Sequence, residues 1–390
     1  MGTMMLDKAK EIQNWVIELR RDFHRHPEES YKEYRTTKVI KEELEKMGIE
    51  TKAIGETGII GIIKGVEGGR VIGLRADIDA LPVTEDTGLP YSSENEGFMH
   101  ACGHDAHMAM LLGAANLLSK MKNEFKGTVK LIFQPAEEAG TGAKTIIEAG
   151  ALKDPNVDVI LGMHIFSDFP CGKVVVQEGP FMASADSWKL EIIGIQCHGS
   201  APWQGVDANI CAAAIMQALQ TIVSRVNDAR SPIVINVGTI HGGQRFNITS
   251  GKATLEGMNR TFNEETRKLL PVWMEKMIKG ICSAYGCEYT FNYNFLCSAV
   301  INDSELTRQV RTSIGSVLGK ENILQVEKIM GSEDFSEYQL YVQGFYMLLG
   351  GGNSEKGCIY AQHSNHFKID EDALPIGVAS YVQAALDLLK

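Results

Sequence analysis

Apolar residues recur at helical spacing through residues 7–25 and 33–47, where Ile, Leu, Val and Met sit between charges, and Gly48 closes the second stretch. Short β-rich runs follow at 57–63 and 70–75, the second leading into Asp77-Ile78-Asp79. Residues 105–121 predict a helix rich in Ala, Leu and Met. Residues 128–133 predict a strand that stops at Gln134-Pro135, and 141–150 a further short helix. Residues 157–161 read as an apolar strand with His164 just past its exit. This alternation predicts an α/β fold, a mostly parallel sheet flanked by helices.

Near residue 183 the pattern changes. Strands are expected at 187–193, 233–240, 253–261 and 288–295, with helices at 207–226 and 264–284. The order βαββαβ is that of a ferredoxin-like α+β unit. Helix–strand alternation resumes after about residue 298. The chain therefore reads as one catalytic domain, 1–183 and 298–390, interrupted by an inserted domain at 184–297.

Composition narrows the function. A chain of 390 residues exceeds one ordinary core, and 44% hydrophobic with 22% charged residues is the balance of a soluble globular protein. A net charge of -11 argues against nucleic acid or an anionic membrane as partner. No apolar run approaches the roughly 18 residues that span a bilayer. The first residues show no apolar signal core, and Leu6 stands where a myristoylation signal needs Ser or Thr. The eight cysteines show no C-x-x-C pairing, which points to reduced thiols and a cytoplasmic location.

The candidate chemistry is metal-assisted hydrolysis. Cys102-Gly103-His104 opens a helix, and Gly103 permits the sharp turn that would aim a thiolate and an imidazole at one cation. Glu137-Glu138 follows an apolar strand. Adjacent side chains do not normally serve one cation equally, so Glu138 is expected to bind metal while Glu137 takes a proton from water. Asp77, Asp79, Glu137, Glu138 and His164 each fall near the carboxyl end of an expected strand, and His363 follows the short run 358–361. Ligands of open parallel sheets bind at such ends. The expected ligand set is thus Cys102, His104, Glu138, His164 and His363. Asp77 and Asp79 would orient imidazoles or bind metal directly, and His100 and His107 would support the ligands or cap the helix. In the inserted domain, His198, Asn247 and Arg260 could meet an oxyanion and a carboxylate. Taken alone, they read as polar residues around an ordinary glycine turn.

Several motifs then converge. Arg21-Asp22-Phe23-His24-Arg25-His26-Pro27-Glu28, Arg75-Ala76-Asp77-Ile78-Asp79-Ala80-Leu81-Pro82, the stretches 99–107 and 133–138, Gly162-Met163-His164, Gly331-Ser332-Glu333-Asp334-Phe335 and 363–367 occur in this order. Over almost its whole length the chain resembles the zinc aminoacylase/carboxypeptidase superfamily, in its subgroup of hippurate hydrolases, N-acyl-L-amino acid amidohydrolases and auxin-conjugate (IAA-amino acid) hydrolases. The resemblance implies a catalytic domain with an inserted lid or dimerisation domain, and a homodimer or higher homo-oligomer. It also implies two divalent ions (Zn, Mn, Co or Ni) held by Cys102, His104, Glu138, His164 and His363, with Glu137 as general base. His198 would reach the substrate oxyanion, and Asn247 and Arg260 its carboxylate. The chain departs from the family at Gln196-Cys197-His198, where Gly-Gly-His is usual, at Pro202-Trp203 in place of Pro-His, and at Ile248-Thr249-Ser250 in place of Val-Ile-Pro.

The expected activity is hydrolysis of the amide bond of N-acyl-L-amino acids, or of short peptides with a free carboxylate, by water activated at the dinuclear site. An N-acetyldiaminopimelate deacetylase or a dipeptidase of the same superfamily is the alternative reading. A non-catalytic metal-binding protein is the alternative of another class, and five dispersed ligands with a spare Glu speak against it, because structural zinc sites are closed four-ligand cages.

Overall fold

The computed structural model describes residues 2–390. The chain divides into two compact units, one comprising the residues up to Gly179 with Ile301–Glu327 and Asp334–Lys390, the other Pro180–Val300 with Lys328–Glu333. The short stretch joins the second unit through backbone: the Ala183 N–H donates to the carbonyls of Ile329 and Gly331.

The first unit is built on one sheet whose strands run in the order Glu50–Ile54, Gly58–Lys64, Lys126–Gln134, Val66–Asp77, Val159–Pro170, Gln343–Gly352, Val174–Val175 and Ile323–Leu324. Its central strands, from Lys126–Gln134 to Gln343–Gly352, are mutually parallel, and Gly58–Lys64 lies antiparallel at their flank. Buried on both faces, these strands read as continuous apolar runs such as Gly58-Ile59-Ile60-Gly61-Ile62-Ile63. The helix His104–Lys120 packs against Val66–Asp77 and the helices Gln13–Arg25 and Leu374–Leu388. Ala, Leu and Met fill its buried length, and each fully buried large side chain contributes roughly 1.5–3 kcal/mol. Its first turn is different: His104, Asp105 and His107 are equally buried, and buried polar groups need partners.

Some expectations need correction. The expected helix 7–25 is interrupted at Ile12, giving Gly2–Glu11 and Gln13–Arg25, and the edge strand Glu50–Ile54 went unread. The strand expected at 157–161 runs from Val159 to Pro170, so His164 lies within it rather than beyond it. Continued hydrogen bonding to Gln343–Gly352 carries it through His164, with Leu348 opposite. The run 358–361 is not a strand. Only Cys358 makes an isolated bridge, to Asn353, and His363 sits in irregular chain.

In the second unit, the antiparallel strands Ala185–Ile193, Ile233–Gly242, Lys252–Thr261 and Glu288–Cys297 alternate with the helices Ala208–Thr221 and Glu264–Tyr285 in the order βαββαβ. The sheet order places Lys252–Thr261 and Ala185–Ile193 in the centre. Trp188, Leu190, Leu255, Ile215 and Met274 form a separate core there. The helices begin at Asp207 and Asn263, whose side chains accept the first free N–H groups.

Candidate active site

Asp77 ends one central strand and Gln134 the next, directly opposite each other in register. Beyond these ends the chain turns sharply, and the residues singled out by sequence arrive from several segments. Gly103 caps the helix His104–Lys120 with φ +90°, a conformation favouring glycine, and a Cβ there would lie 2.6 Å from the Ile165 side chain. Ala136, before the Glu pair, also has positive φ (55°), as does His363 (67°). Non-glycine residues held this way cluster at functional sites.

The ligand atoms of Cys102, His104 and His164 all lie within 4.8 Å of one another, as do those of Cys102, Glu138 and His363, and those of His104, Glu137 and Glu138. The His164 Nε2 stands 3.2 Å from the Cys102 Sγ. The His104 Nε2 is 3.9 Å from Glu138 and 4.0 Å from Glu137, and the His363 Nε2 is 3.5 Å from Glu138.

Backbone contacts fix the imidazole tautomers. The Nδ1 of His104 lies 2.9 Å from the Asp79 carbonyl and that of His164 2.7 Å from the Ile165 carbonyl. A carbonyl only accepts, so both Nδ1 atoms carry hydrogen and both Nε2 atoms face the cluster. His107 is turned the other way. Its Nε2 accepts the Ile165 N–H at 2.8 Å, and its Nδ1 donates to Asp77 at 2.6 Å. Both His107 nitrogens are thus used within the protein, although its atoms fall near those of Asp77 and His104.

Asp79 ties the segments together. Its Oδ2 accepts the Glu138 N–H at 3.0 Å and the Ser30 hydroxyl at 2.6 Å, and its Oδ1 lies 3.3 Å from His104 Nδ1. Asp77 is held by Arg75, which also binds Gln134 and Asp334. His100 is buried, but neither of its ring nitrogens has a hydrogen-bond partner among the described residues, so the expected supporting or capping contact is not present. Burial brings it down to about 3, so it is neutral.

Burial and the neighbouring carboxylates set the electrostatics of the cluster. Burial, then Glu138 and Glu137, pushes the Cys102 thiol well up. Burial raises Glu138 to about 7, partly offset by His104. For His104 burial acts downward, but Asp77 and Asp79 outweigh it and bring the imidazole up to about 10. Burial and His107 hold His164 well below the usual imidazole range. The buried His104 Nε2 and Glu138 Oε1 have no hydrogen-bond partner among the described residues. A divalent ion supplies what both lack and favours the deprotonated thiol and imidazole. The donor set fits such an ion.

Residues 73–387 match the peptidase family M20/M25/M40. The chain belongs to that family. It is 40% identical over 384 residues to thermostable carboxypeptidase 1 of Saccharolobus solfataricus, covering 97% of this chain and 96% of the relative. It is 38% identical over 388 residues to an N-acetylcysteine deacetylase of Bacillus subtilis, covering 99% of each. Among solved structures it resembles a dinuclear metal-binding peptidase of the M20 family from Bacillus subtilis, at TM-score 0.85 and 36% identity, over 97% of this chain and 99% of the other. This M20 chain is thus a hydrolytic enzyme, and its family and this neighbour support divalent metals at its site.

Three expected residues of this M20 enzyme lie in the second unit. His198 is exposed, and its Nδ1 accepts from the Ser200 N–H at 3.1 Å and contacts the Ser200 hydroxyl at 2.8 Å. It pairs with Ile248 in a two-stranded ladder, and the Gly199 N–H donates to the Asn247 carbonyl, so His198 and Asn247 are neighbours. The Asn247 Oδ1 and Arg260 Nη1 are buried without a hydrogen-bond partner among the described residues.

Ser30 and Glu33 were not anticipated. They reach Asp79 and the Ala136 N–H from the chain between the second and third helices. Glu33 precedes an amphipathic helix, where a Glu ordinarily faces water, so no local signal marks it. Only the nearby His26-Pro27-Glu28 motif hinted that this segment matters.

Proposed function

We propose that this M20 enzyme hydrolyses the amide bond of N-acyl-L-amino acids and of short peptides with a free α-carboxylate. A carboxypeptidase substrate ends in a residue that is itself an N-acyl amino acid, so the carboxypeptidase and deacetylase relatives report one bond in one chemical setting. The observation that carries the reading is the convergence of Cys102, His104, Glu138, His164 and His363 beside a second carboxylate, Glu137.

Cys102, His104, Glu138, His164 and His363 would hold two divalent ions; a thiol with imidazoles suits zinc, cobalt or nickel, and carboxylates admit manganese. When bound, such ions supply Lewis-acid polarisation and make water acidic enough to ionise near neutral pH. Glu137 accepts a proton from the attacking water and returns it to the departing amine as the C–N bond breaks. Its neighbour Glu138 reaches both His104 and His363, which favours the ligand role for Glu138 and leaves Glu137 for the proton. Asp79 holds His104 and the Glu138 backbone, and Asp77 holds His107, so both act by orientation. His198 would donate to the oxyanion through its Nε2, the nitrogen not engaged by Ser200. Arg260, with a buried, uncommitted Nη1, matches the substrate carboxylate, and Asn247 joins it. The Cys197, Trp203 and Ile248-Thr249-Ser250 departures leave the metal cluster untouched and would act on acyl preference and subunit contacts.

The test is Glu137→Ala assayed on hippurate, N-acetyl amino acids and dipeptides, with acetyl-diaminopimelate included. Loss of a general base costs roughly 10²–10⁴ in rate, and bound metal is expected to stay near the parent level. Parent-rate hydrolysis by the variant would remove Glu137 from this role.

A further inference from the structure

The turn that carries Glu137 and Glu138 is held from outside by residues 30–33, and Glu33 makes the decisive contact. Its Oε1 accepts the N–H of Ala136 at 2.9 Å and that of Tyr31 at 3.0 Å, and its Oε2 accepts the Thr57 hydroxyl at 2.5 Å. Glu33, Ala136 and Thr57 are all buried. Ala136 is the residue with φ 55°, directly before the Glu pair. Left to itself, a chain at alanine avoids that conformation. The turn is completed by bonds from the Gly142 N–H to the Ala136 carbonyl and from the Gly140 N–H to the Glu137 carbonyl. The Tyr31 hydroxyl meets Thr141 at 2.6 Å, and Ser30 binds the Asp79 that holds Glu138.

We infer that Glu33 is a positioning residue: its carboxylate holds Ala136 in the left-handed conformation and so aims the Glu137 carboxylate at the reacting water. The inference rests on the assignment of Glu137 as base. A buried carboxylate accepting three hydrogens is a strong, oriented anchor, and it grips the peptide N–H of the left-handed residue directly before Glu137. Glu33 precedes the helix Tyr34–Lys46 without capping it, its side chain turned to Ala136 instead.

The experiment compares the metal-loaded parent enzyme with Glu33→Gln, Glu33→Ala, Glu33→Ala/Ala136→Gly and Glu137→Gln. The measurements are kcat, KM, metal affinity and deuterium exchange of the peptide over residues 134–140. Misplacement of a reacting group by about 1 Å costs about 10²-fold, so Glu33→Ala is expected to lose kcat on that scale with KM and metal affinity near parent values, and to exchange faster at the turn. Glu33→Gln, which keeps an oxygen for Ala136, should show a smaller loss in the same direction. Ala136→Gly, which removes the Cβ conflict of the left-handed conformation, should restore about tenfold of the kcat lost in Glu33→Ala. If Glu33→Ala does not fold, Glu33→Gln with and without Ala136→Gly carries the same comparison. Parent kcat and exchange in Glu33→Gln and Glu33→Ala, or a loss of kcat that Ala136→Gly leaves unchanged, would overturn the inference. Parent turnover in Glu137→Gln would instead overturn the assignment of the base.

Discussion

The backbone N–H of His363 donates to the carbonyl oxygen of Ala101 at 2.8 Å. This bond joins the last metal-ligand candidate to the residue before the first, Cys102, across most of the sequence. With φ at 67°, His363 turns its imidazole toward Glu138 rather than along the chain. The site is therefore assembled by backbone hydrogen bonds as much as by side chains.

His164 is fixed through one residue, Ile165, whose carbonyl accepts from His164 while its N–H donates to His107. His107→Ala strands that N–H and loosens the His164 ring. Removing such a supporting partner typically weakens metal binding 10–100-fold. Chelator competition should show a loss in that range, with far-UV circular dichroism unchanged. Parent affinity would mean that His107 does not hold the ligand.

Gly103→Ala places a methyl 2.6 Å from Ile165 at a positive φ. Strain of this kind costs on the order of 1–3 kcal/mol. Thermal unfolding should move to lower temperature, and metal content should fall with it, since Cys102 and His104 flank the residue. An unchanged melting temperature would contradict the role given to this turn.

A buried charge network lies beside the site. Arg20 and His24 both bind Asp105, and the other nitrogen of His24 meets Glu85 at 3.2 Å. Burial alone would raise Glu85, but His24, Thr87 and the Ser93 N–H outweigh it and bring the carboxyl down to about 2. A depressed carboxyl contributes stability above its unfolded pKa of about 4.5 and loses it as pH falls toward 2. The Glu85 side chain is nearly buried, and its contribution is on the order of 1–3 kcal/mol. His24 is shifted up, so its contribution is present below its unfolded pKa of about 6.5 and is lost as pH rises through the raised value. Melting temperature against pH should fall on the acid side in the parent and less steeply in Glu85→Gln. Parallel curves would remove Glu85 from the account.

Arg260→Ala removes the proposed carboxylate partner. A hydrogen bond to a charged group contributes about 1.5–3 kcal/mol, so KM for N-acyl amino acids should rise roughly 10–100-fold with a smaller change in kcat. Equal loss for substrates with free and with amidated carboxylates would show that Arg260 does not read that group.

Most of the catalytic unit was legible in sequence because its strands are long apolar runs and its helices carry clear periodicity. The candidate ligands were legible because Cys102 and His104 flank a Gly turn and Glu138 follows a strand end, whereas His164 and His363 stood out by their short His-bearing motifs alone. Three things were not. The strand through His164 runs on because its neighbour continues to bond it, and periodicity within 157–161 cannot show that. The opposite tautomers of His104 and His107 depend on which backbone group each imidazole meets. Glu33 and Ser30 belong to a hydrogen-bond network closed across remote segments, and residue type at those positions suggests only a solvated helix start.

Whether remote segments meet at one metal cluster is read from anomalous diffraction of crystals of the enzyme grown with zinc or manganese. Metal peaks are expected enclosed by Cys102, His104, Glu138, His164 and His363, with the Glu137 carboxylate close by and outside the ligand set. Peaks bound elsewhere, with these five side chains bare, would contradict that arrangement.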